Sequence, residues 1–201
     1  MKKIDKIIVG THNNGKFKEI CDLLPANITK ISPKDLNLSS PNEIGSTFKE
    51  NSKIKAEYFA KKANLIAISD DSGLMIDPLS GAPGIYSSRW AGPTNDFNVA
   101  IEKIYNELKK IKFEWSKRKE IVARFISCLT LHWPNGKFIS STGIVEGRIS
   151  VIKKGTNGFG YDPIFIPSGY EKTFGELNPQ EKIKIDHRSK AFLKISNLFI
   201  N

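Results

Sequence analysis

Gly10-Thr11-His12-Asn13-Asn14-Gly15-Lys16 fits the phosphate-loop spacing G-x-x-x-x-G-K, with Phe17 standing where that motif carries Ser or Thr. The segment follows an apolar run, Ile7-Ile8-Val9, and leads into a helix-like stretch through Phe17, Ile20, Leu23 and Leu24. Backbone N–H groups at such a helix start would point at an anion, and a phosphate is the natural guest. A phosphate-loop NTPase holds Mg²⁺ with the hydroxyl that Phe17 lacks, so any metal here must be held by residues elsewhere. Taken alone, the segment reads equally well as an ordinary strand-to-helix turn.

Four other features could carry chemistry. Asp70 and Asp71 follow the apolar run Leu65-Ile66-Ala67-Ile68 and resemble the acidic end of a strand that holds metal. Adjacent strand side chains point to opposite faces, so one acid would hold or orient metal and water while the other supports it or acts as general base. Glu43, just ahead of a helix opening at Thr47, is a further candidate Mg²⁺ ligand. Gly158-Phe159-Gly160-Tyr161-Asp162 lacks the third glycine and the following helix of a dinucleotide fingerprint. It suits a different use, in which Phe159 or Tyr161 stacks on a base while backbone groups read its edge. Lys182, His187 and Arg188 gather donors near the start of the last helix, with Asp186 as a candidate N-cap.

The elements that must position these residues alternate between helix and strand. Residues 4–10 read as a strand, 16–24 as a helix, and 47–63 as a second helix with the capping box Thr47-Phe48-Lys49-Glu50. Its buried stripe would carry Phe48, Ser52, Ala56, Phe59 or Ala60, and Ala63. Residues 65–69 form a short buried strand that delivers Asp70, Asp71, Ser72 and Gly73 at its carboxyl end, where α/β sheets place their sites. Gly81-Ala82-Pro83-Gly84 is a turn, and Phe97, Ile101, Ile104, Leu108 and Ile111 mark a further helix. Alternation over 125–133, the turn Pro134-Asn135-Gly136 and a return through 138–146 predict a hairpin. A last helix from about Asp186 would bury Phe192, Ile195 and Phe199. The expected class is α/β, with a long mixed sheet flanked by helices.

The bulk properties set bounds. A chain of 201 residues is the size of one large domain or two closely joined lobes. No apolar run approaches membrane-spanning length, and the start at Met1-Lys2-Lys3 has no secretory signal, so a cytoplasmic protein is expected. Cys21 and Cys128 have no metal spacing and read as reduced packing residues. The net charge of +10 favours an anionic partner, either a small polyphosphate or nucleic acid. Lys109-Lys110, Lys117-Arg118-Lys119 and Lys153-Lys154 are scattered and carry no interleaved aromatics, which favours a solvated lysine-rich surface over a nucleic-acid platform.

Six ordered segments together resemble the inosine/xanthosine triphosphate pyrophosphatase family. They are Thr11 to Lys16 with Glu19, Glu43-Ile44-Gly45-Ser46-Thr47-Phe48 with Glu50-Asn51, Asp70 to Leu74, Gly81 to Ser87, Gly158 to Phe165, and Glu181-Lys182 with His187-Arg188. The resemblance implies a single pyrophosphatase domain over 1–201, with two lobes around a central nucleotide-binding cleft, acting as a homodimer. It further implies Mg²⁺-dependent hydrolysis of ITP, dITP or XTP to the monophosphate and pyrophosphate, without a stable nucleic-acid complex or membrane attachment. By position, Thr11, His12, Asn13, Asn14, Gly15 and Lys16 would hold phosphates, and Asp71 would accept a proton and bind metal together with Glu43. Ser72 would touch substrate, and Phe159, Gly160, Tyr161, Asp162, Lys182, His187 and Arg188 would line the nucleotide pocket. This chain departs from the family pattern at His12, where Gly is usual, at Ser52 for Ala, and at Asp186 for a small residue. A phosphate-loop NTPase or kinase that releases or transfers the γ-phosphate is the alternative, and it requires the hydroxyl that Phe17 lacks.

Overall fold

Apolar runs short enough for strands and stripes long enough for helices alternate along the chain, and the computed structural model, which describes residues 4–111 and 120–199, bears out that alternation. The Lys117-Arg118-Lys119 run lies outside the described residues. The strands are β1 (Lys6–Val9), β2 (Thr29–Ile31), β3 (Ala67–Ile76), β4 (Val122–His132), β5 (Phe138–Ile149) and β6 (Phe165–Pro167). They form one mixed sheet in the order β2-β1-β3-β4-β5-β6, with β1 parallel to both β2 and β3, and β5 antiparallel to β6. The helices are α1 (Asn14–Leu23), α2 (Phe48–Ala63), α3 (Phe97–Lys110), α4 (Pro179–Lys182) and α5 (His187–Leu193), joined by short 3₁₀ turns.

The chain divides into two units. The first comprises Met1–Asp71, Ser127–Gly143 and His187–Asn201, and the second Ser72–Ile126 and Ile144–Asp186. In the first, Ile7, Val9, Ile20, Ile68, Leu129, Leu131 and Ala191 are fully buried together. Helix α2 adds Phe59 and Ala60 against Ile8 and Ala67. In the second unit, Ile101, Ile104 and Leu108 of α3 pack with Leu74, Ile76 and an aromatic group of Phe125, Phe165 and Phe174. Each element therefore buries the stripe that its period lays out.

Several boundaries differ from those expected from sequence: β1 and α1 shift by one to two residues, β4 begins three residues earlier, and β5 runs three residues further. β3 does not end at Ser69 but runs to Ile76, so Asp70 and Asp71 sit inside a strand. It continues because Leu74 and Ile76 are buried at alternate positions, and because Gly73 presents no Cβ to the Gly84 carbonyl and the Ser87 hydroxyl packed against it. The Ser87 hydroxyl also accepts the Leu74 N–H at 3.0 Å. Helix α3 stops at Lys110, leaving Ile111 as a half-exposed cap. The last helix stops at Leu193 and a 3₁₀ turn, Ser196–Phe199, follows, so Phe192 and Ile195 are buried while Phe199 is only partly covered. The two cysteines are free thiols, as expected. Among the described residues, no helix is long and apolar enough to cross a membrane.

Candidate active site

The phosphate-type loop is built by close packing and one cap. Gly10 leaves β1, and its N–H donates to the Ile68 carbonyl at 2.8 Å. A Cβ at Gly10 would collide with Ser69 and Phe59, so only glycine allows this approach. The chain enters α1 through Asn13, whose side chain accepts the Lys16 N–H at 3.0 Å, and the first turn carries no acid that would repel an anion. His12 keeps a negative φ, so its Cβ introduces no strain in the loop. Its ring nitrogens meet the Leu38 carbonyl at 2.9 Å and the Ser40 hydroxyl at 2.7 Å. Phe17 packs against the core of the first unit, which accounts for an apolar residue where a phosphate-loop NTPase needs a hydroxyl.

The two acids of β3 face different partners, as the alternation of a strand requires. Asp70 has no exposed surface. Its carboxylate meets the Lys16 ammonium at 3.0 Å and the Arg188 guanidinium at 3.3 Å, and it accepts a hydrogen bond from the Ser127 hydroxyl. Arg188, itself buried, also pairs with Glu19. Asp70 is thus a carboxylate compensated by two cations, which is the condition for burying a charge.

Asp71 has one oxygen engaged and one open. Oδ1 lies 3.0 Å from the Lys55 ammonium, which also meets Glu43 at 3.1 Å. Oδ2 is buried with no hydrogen-bond partner. Burial pushes the Asp71 carboxyl up to about 6, and the Glu43 charge adds to the rise, although Lys55 and Lys16 pull the other way. Burial raises Glu43 as well, but there the ammonium of Lys55 prevails and holds the carboxyl below its usual range. Burial likewise opposes the charge on Lys55, yet Asp71, Glu43 and Asp70 outweigh it, and Lys55 remains an ammonium ion.

Among the described residues there is no group of three side chains that could hold a metal. Two carboxylates and an unmet buried oxygen still fit Mg²⁺, which ordinarily takes one or two protein carboxylates and completes its shell with water and substrate phosphates. A transition metal that wants a full cage of protein ligands does not fit.

In the second unit, Gly158 and Gly160 take φ of +74° and +67°, turning the chain so that Asp162 accepts the Phe159 N–H at 2.8 Å. The same carboxylate pairs with Lys182 at 2.6 Å, and the Lys182 ammonium lies 5.3 Å from the Phe159 ring centroid. Tyr161 is a core residue. Its ring meets Phe97 edge-on, its hydroxyl donates to the Ser87 carbonyl at 2.8 Å, and burial raises its phenol above the usual range. Of the two aromatics considered for stacking, Phe159 is the one left partly exposed. Ser72, directly after Asp71, is half-buried. His187 opens α5 as a buried residue. The donors near the last helix therefore serve different acids, with Lys182 on Asp162 and Arg188 on Asp70 and Glu19.

The profile of the Ham1 family matches residues 7–198. This chain belongs to that family. A dITP/XTP pyrophosphatase of Agrobacterium fabrum is 45% identical over 208 residues, covering 96% of both chains. One from Rhodospirillum centenum is 42% identical over 192 residues, covering 95% of this chain and 93% of its own. Among solved structures, a HAM1 protein from Coxiella burnetii superposes with a TM-score of 0.84 at 37% identity, covering 96% of this chain and 97% of its own. The Staphylococcus aureus Ham1 protein gives 0.81 at 34% identity, with the same coverage. The six-stranded mixed α/β fold is accordingly the Ham1 fold.

Lys55 is the residue in this Ham1 chain that sequence reasoning missed. It lies on the α2 stripe with Ser52, Ala56 and Phe59, and a lysine on a buried stripe was the signal, because lysine is almost never buried unless paired. Ser127, which donates to Asp70, carries no such signal, whereas Glu19 already stands in the first of the six matching segments.

Proposed function

We propose that this protein hydrolyses non-standard purine nucleoside triphosphates, ITP, dITP and XTP, to the monophosphate and pyrophosphate, and so cleanses the nucleotide pool. The observation that carries this reading is the Asp71 carboxylate, buried with one oxygen unmet and flanked by Lys55 and Glu43, on the strand beside the loop of Lys16. Its carboxylate, oriented by the Lys55 contact and with one oxygen lacking a donor, suits a general base.

In this mechanism the backbone of residues 11–15 and the Lys16 ammonium bind the polyphosphate. Asp71 takes the proton of the attacking water. Lys55 fixes the rotamer of Asp71 and holds Glu43 beside it. Glu43 and Asp71 would hold Mg²⁺, which supplies positive charge against the phosphoryl group as it gains negative charge. Phe159 offers a stacking face, Lys182 is aligned by Asp162, and Ser72 touches substrate. His187 and Arg188 line the nucleotide pocket, with the guanidinium held in one orientation by Asp70 and Glu19. Hypoxanthine and xanthine present an acceptor oxygen at position 6 where adenine presents a donor, so fixed donors discriminate between them. Residues 1–201 act as one catalytic domain, as a homodimer in the cytoplasm.

The test is product identity. With Mg²⁺, ITP is expected to yield pyrophosphate, ATP little product, and single-stranded DNA no stable complex. Orthophosphate in place of pyrophosphate would convert the reading to a γ-phosphate NTPase.

A further inference from the structure

His12 uses both ring nitrogens on one short stretch of chain, residues 38–40. The Leu38 carbonyl can only accept, so Nε2 carries the proton and donates to it at 2.9 Å, and the Ser40 hydroxyl donates to Nδ1 at 2.7 Å. Two neighbouring contacts run the same way. Lys34 donates to the Asn14 side chain at 3.2 Å, and the Ser39 hydroxyl meets that of Tyr58 on α2 at 3.3 Å. The ring of His12 also lies 6.1 Å from that of Phe59. Glu43, the more exposed member of the carboxylate pair, follows Ser40 by three residues and meets the Lys55 ammonium that it shares with Asp71.

From this geometry we infer that His12 is a positioning residue: a clasp that ties the phosphate-binding loop to the segment bearing Glu43, so that the polyphosphate cradle and the metal-binding carboxylate keep a fixed separation. The inference rests on the reading given under Proposed function. A glycine at this position makes neither hydrogen bond and cannot form the clasp. The ring acts through Leu38 and Ser40, so its loss falls on Mg²⁺ affinity and leaves base choice alone.

Three measurements on the full chain test it: Mg²⁺ dependence of ITP hydrolysis, calorimetric Mg²⁺ binding without nucleotide, and hydrogen exchange of the amides at 38–43. In His12→Ala the Mg²⁺ concentration for half-maximal rate and the calorimetric Kd should both rise about tenfold, the equivalent of ~1.4 kcal/mol. Exchange at 38–43 should quicken about tenfold, while the ITP-to-ATP ratio of kcat/KM stays within about twofold. His12→Gln keeps a donor for the Leu38 carbonyl and should stay within about threefold of wild type, and Ser40→Ala should lose about threefold. Unchanged Mg²⁺ affinity in His12→Ala, or His12→Gln as impaired as His12→Ala, overturns the clasp. Should His12→Ala not fold, His12→Gln and Ser40→Ala decide, and wild-type affinity in Ser40→Ala then counts against it. If the wild type releases no pyrophosphate from ITP, the functional reading fails, whereas exchange and calorimetry still judge the clasp.

Discussion

Replacing Asp71 by Asn should destroy activity and raise stability in the same protein. The folded, metal-free chain holds a proton on Asp71 up to about pH 6, whereas the ordinary aspartate value of 3.8 stands for the unfolded chain. Between those values the folded state binds more protons than the unfolded state, so stability falls as pH rises through the window and stays low above it. A difference of about two pKa units corresponds to about 3 kcal/mol. The side chain is only 8% exposed, so little of this is lost to solvent screening. Asn keeps an acceptor for Lys55 and carries no charge to desolvate. In EDTA at pH 7.5, Asp71→Asn is therefore expected to melt several degrees above wild type, since about 1 kcal/mol moves Tm by about 2–4 °C in a chain of this size. Turnover of ITP should fall by about 10²-fold or more. Calorimetric melting from pH 4 to 8 should show the wild-type stability descending between about 4 and 6 and the variant lacking that slope. Mg²⁺ should raise the wild-type Tm and leave the variant nearly unmoved. A variant that melts below wild type in EDTA would show that the Asp71 charge is a net structural asset, and the reasoning from its open oxygen would fail. Near-normal turnover would move the base elsewhere.

Lys16→Ala should raise KM for ITP by about tenfold or more, with a modest fall in Tm because Asp70 keeps Arg188 and Ser127; a lower Tm with unchanged KM would remove Lys16 from phosphate binding. Wild type should prefer ITP and XTP to ATP by about 10⁴-fold in kcat/KM and treat ITP and dITP alike, and equal values for ITP and ATP would refute the pool-cleansing role. Arg188→Ala should lose part of that preference and also about 1–3 kcal/mol of stability, because it takes from the buried Asp70 one of its two cations and from Glu19 its guanidinium partner. Comparing the ITP-to-ATP ratio with the urea midpoint separates the two effects, and an unchanged ratio would confine Arg188 to support.

Local features of the site were legible because short-range geometry writes them into adjacent residues. The loop from Gly10 to Lys16 needs a strand end, a glycine under a close approach and a helix cap, all within a few positions. The turn at Gly158 and Gly160 is visible for the same reason, since positive φ selects glycine. Interactions that span the chain leave no comparable trace. Arg188 reaches Glu19 across 169 positions and Asp70 across 118, and Ser127 reaches Asp70 across 57. Each of these residues, read alone, is an ordinary polar side chain. Tyr161 shows the converse limit. An aromatic beside glycines suggests a stacking face, yet only the fold reveals that its ring belongs to the core around Phe97 and its hydroxyl to Ser87.

The pair Asp70-Asp71 concentrates the difference between what a sequence names and what a fold decides. Both are aspartates, both are nearly inaccessible, and they are adjacent. The two-residue period of β3 turns one toward Lys16, Arg188 and Ser127, where its charge is fully answered, and the other toward a single lysine already shared with Glu43. A carboxylate with every partner in place has no reason to accept a proton or a metal, whereas one with an unmet buried oxygen has both. The proposed division of labour, with Asp71 as base and Asp70 as support, therefore follows from how many cations each face of the strand supplies. It also fits the apolar Phe17: if the proposed metal is held from β3, the first turn of α1 needs no metal-binding hydroxyl and can give that position to the core.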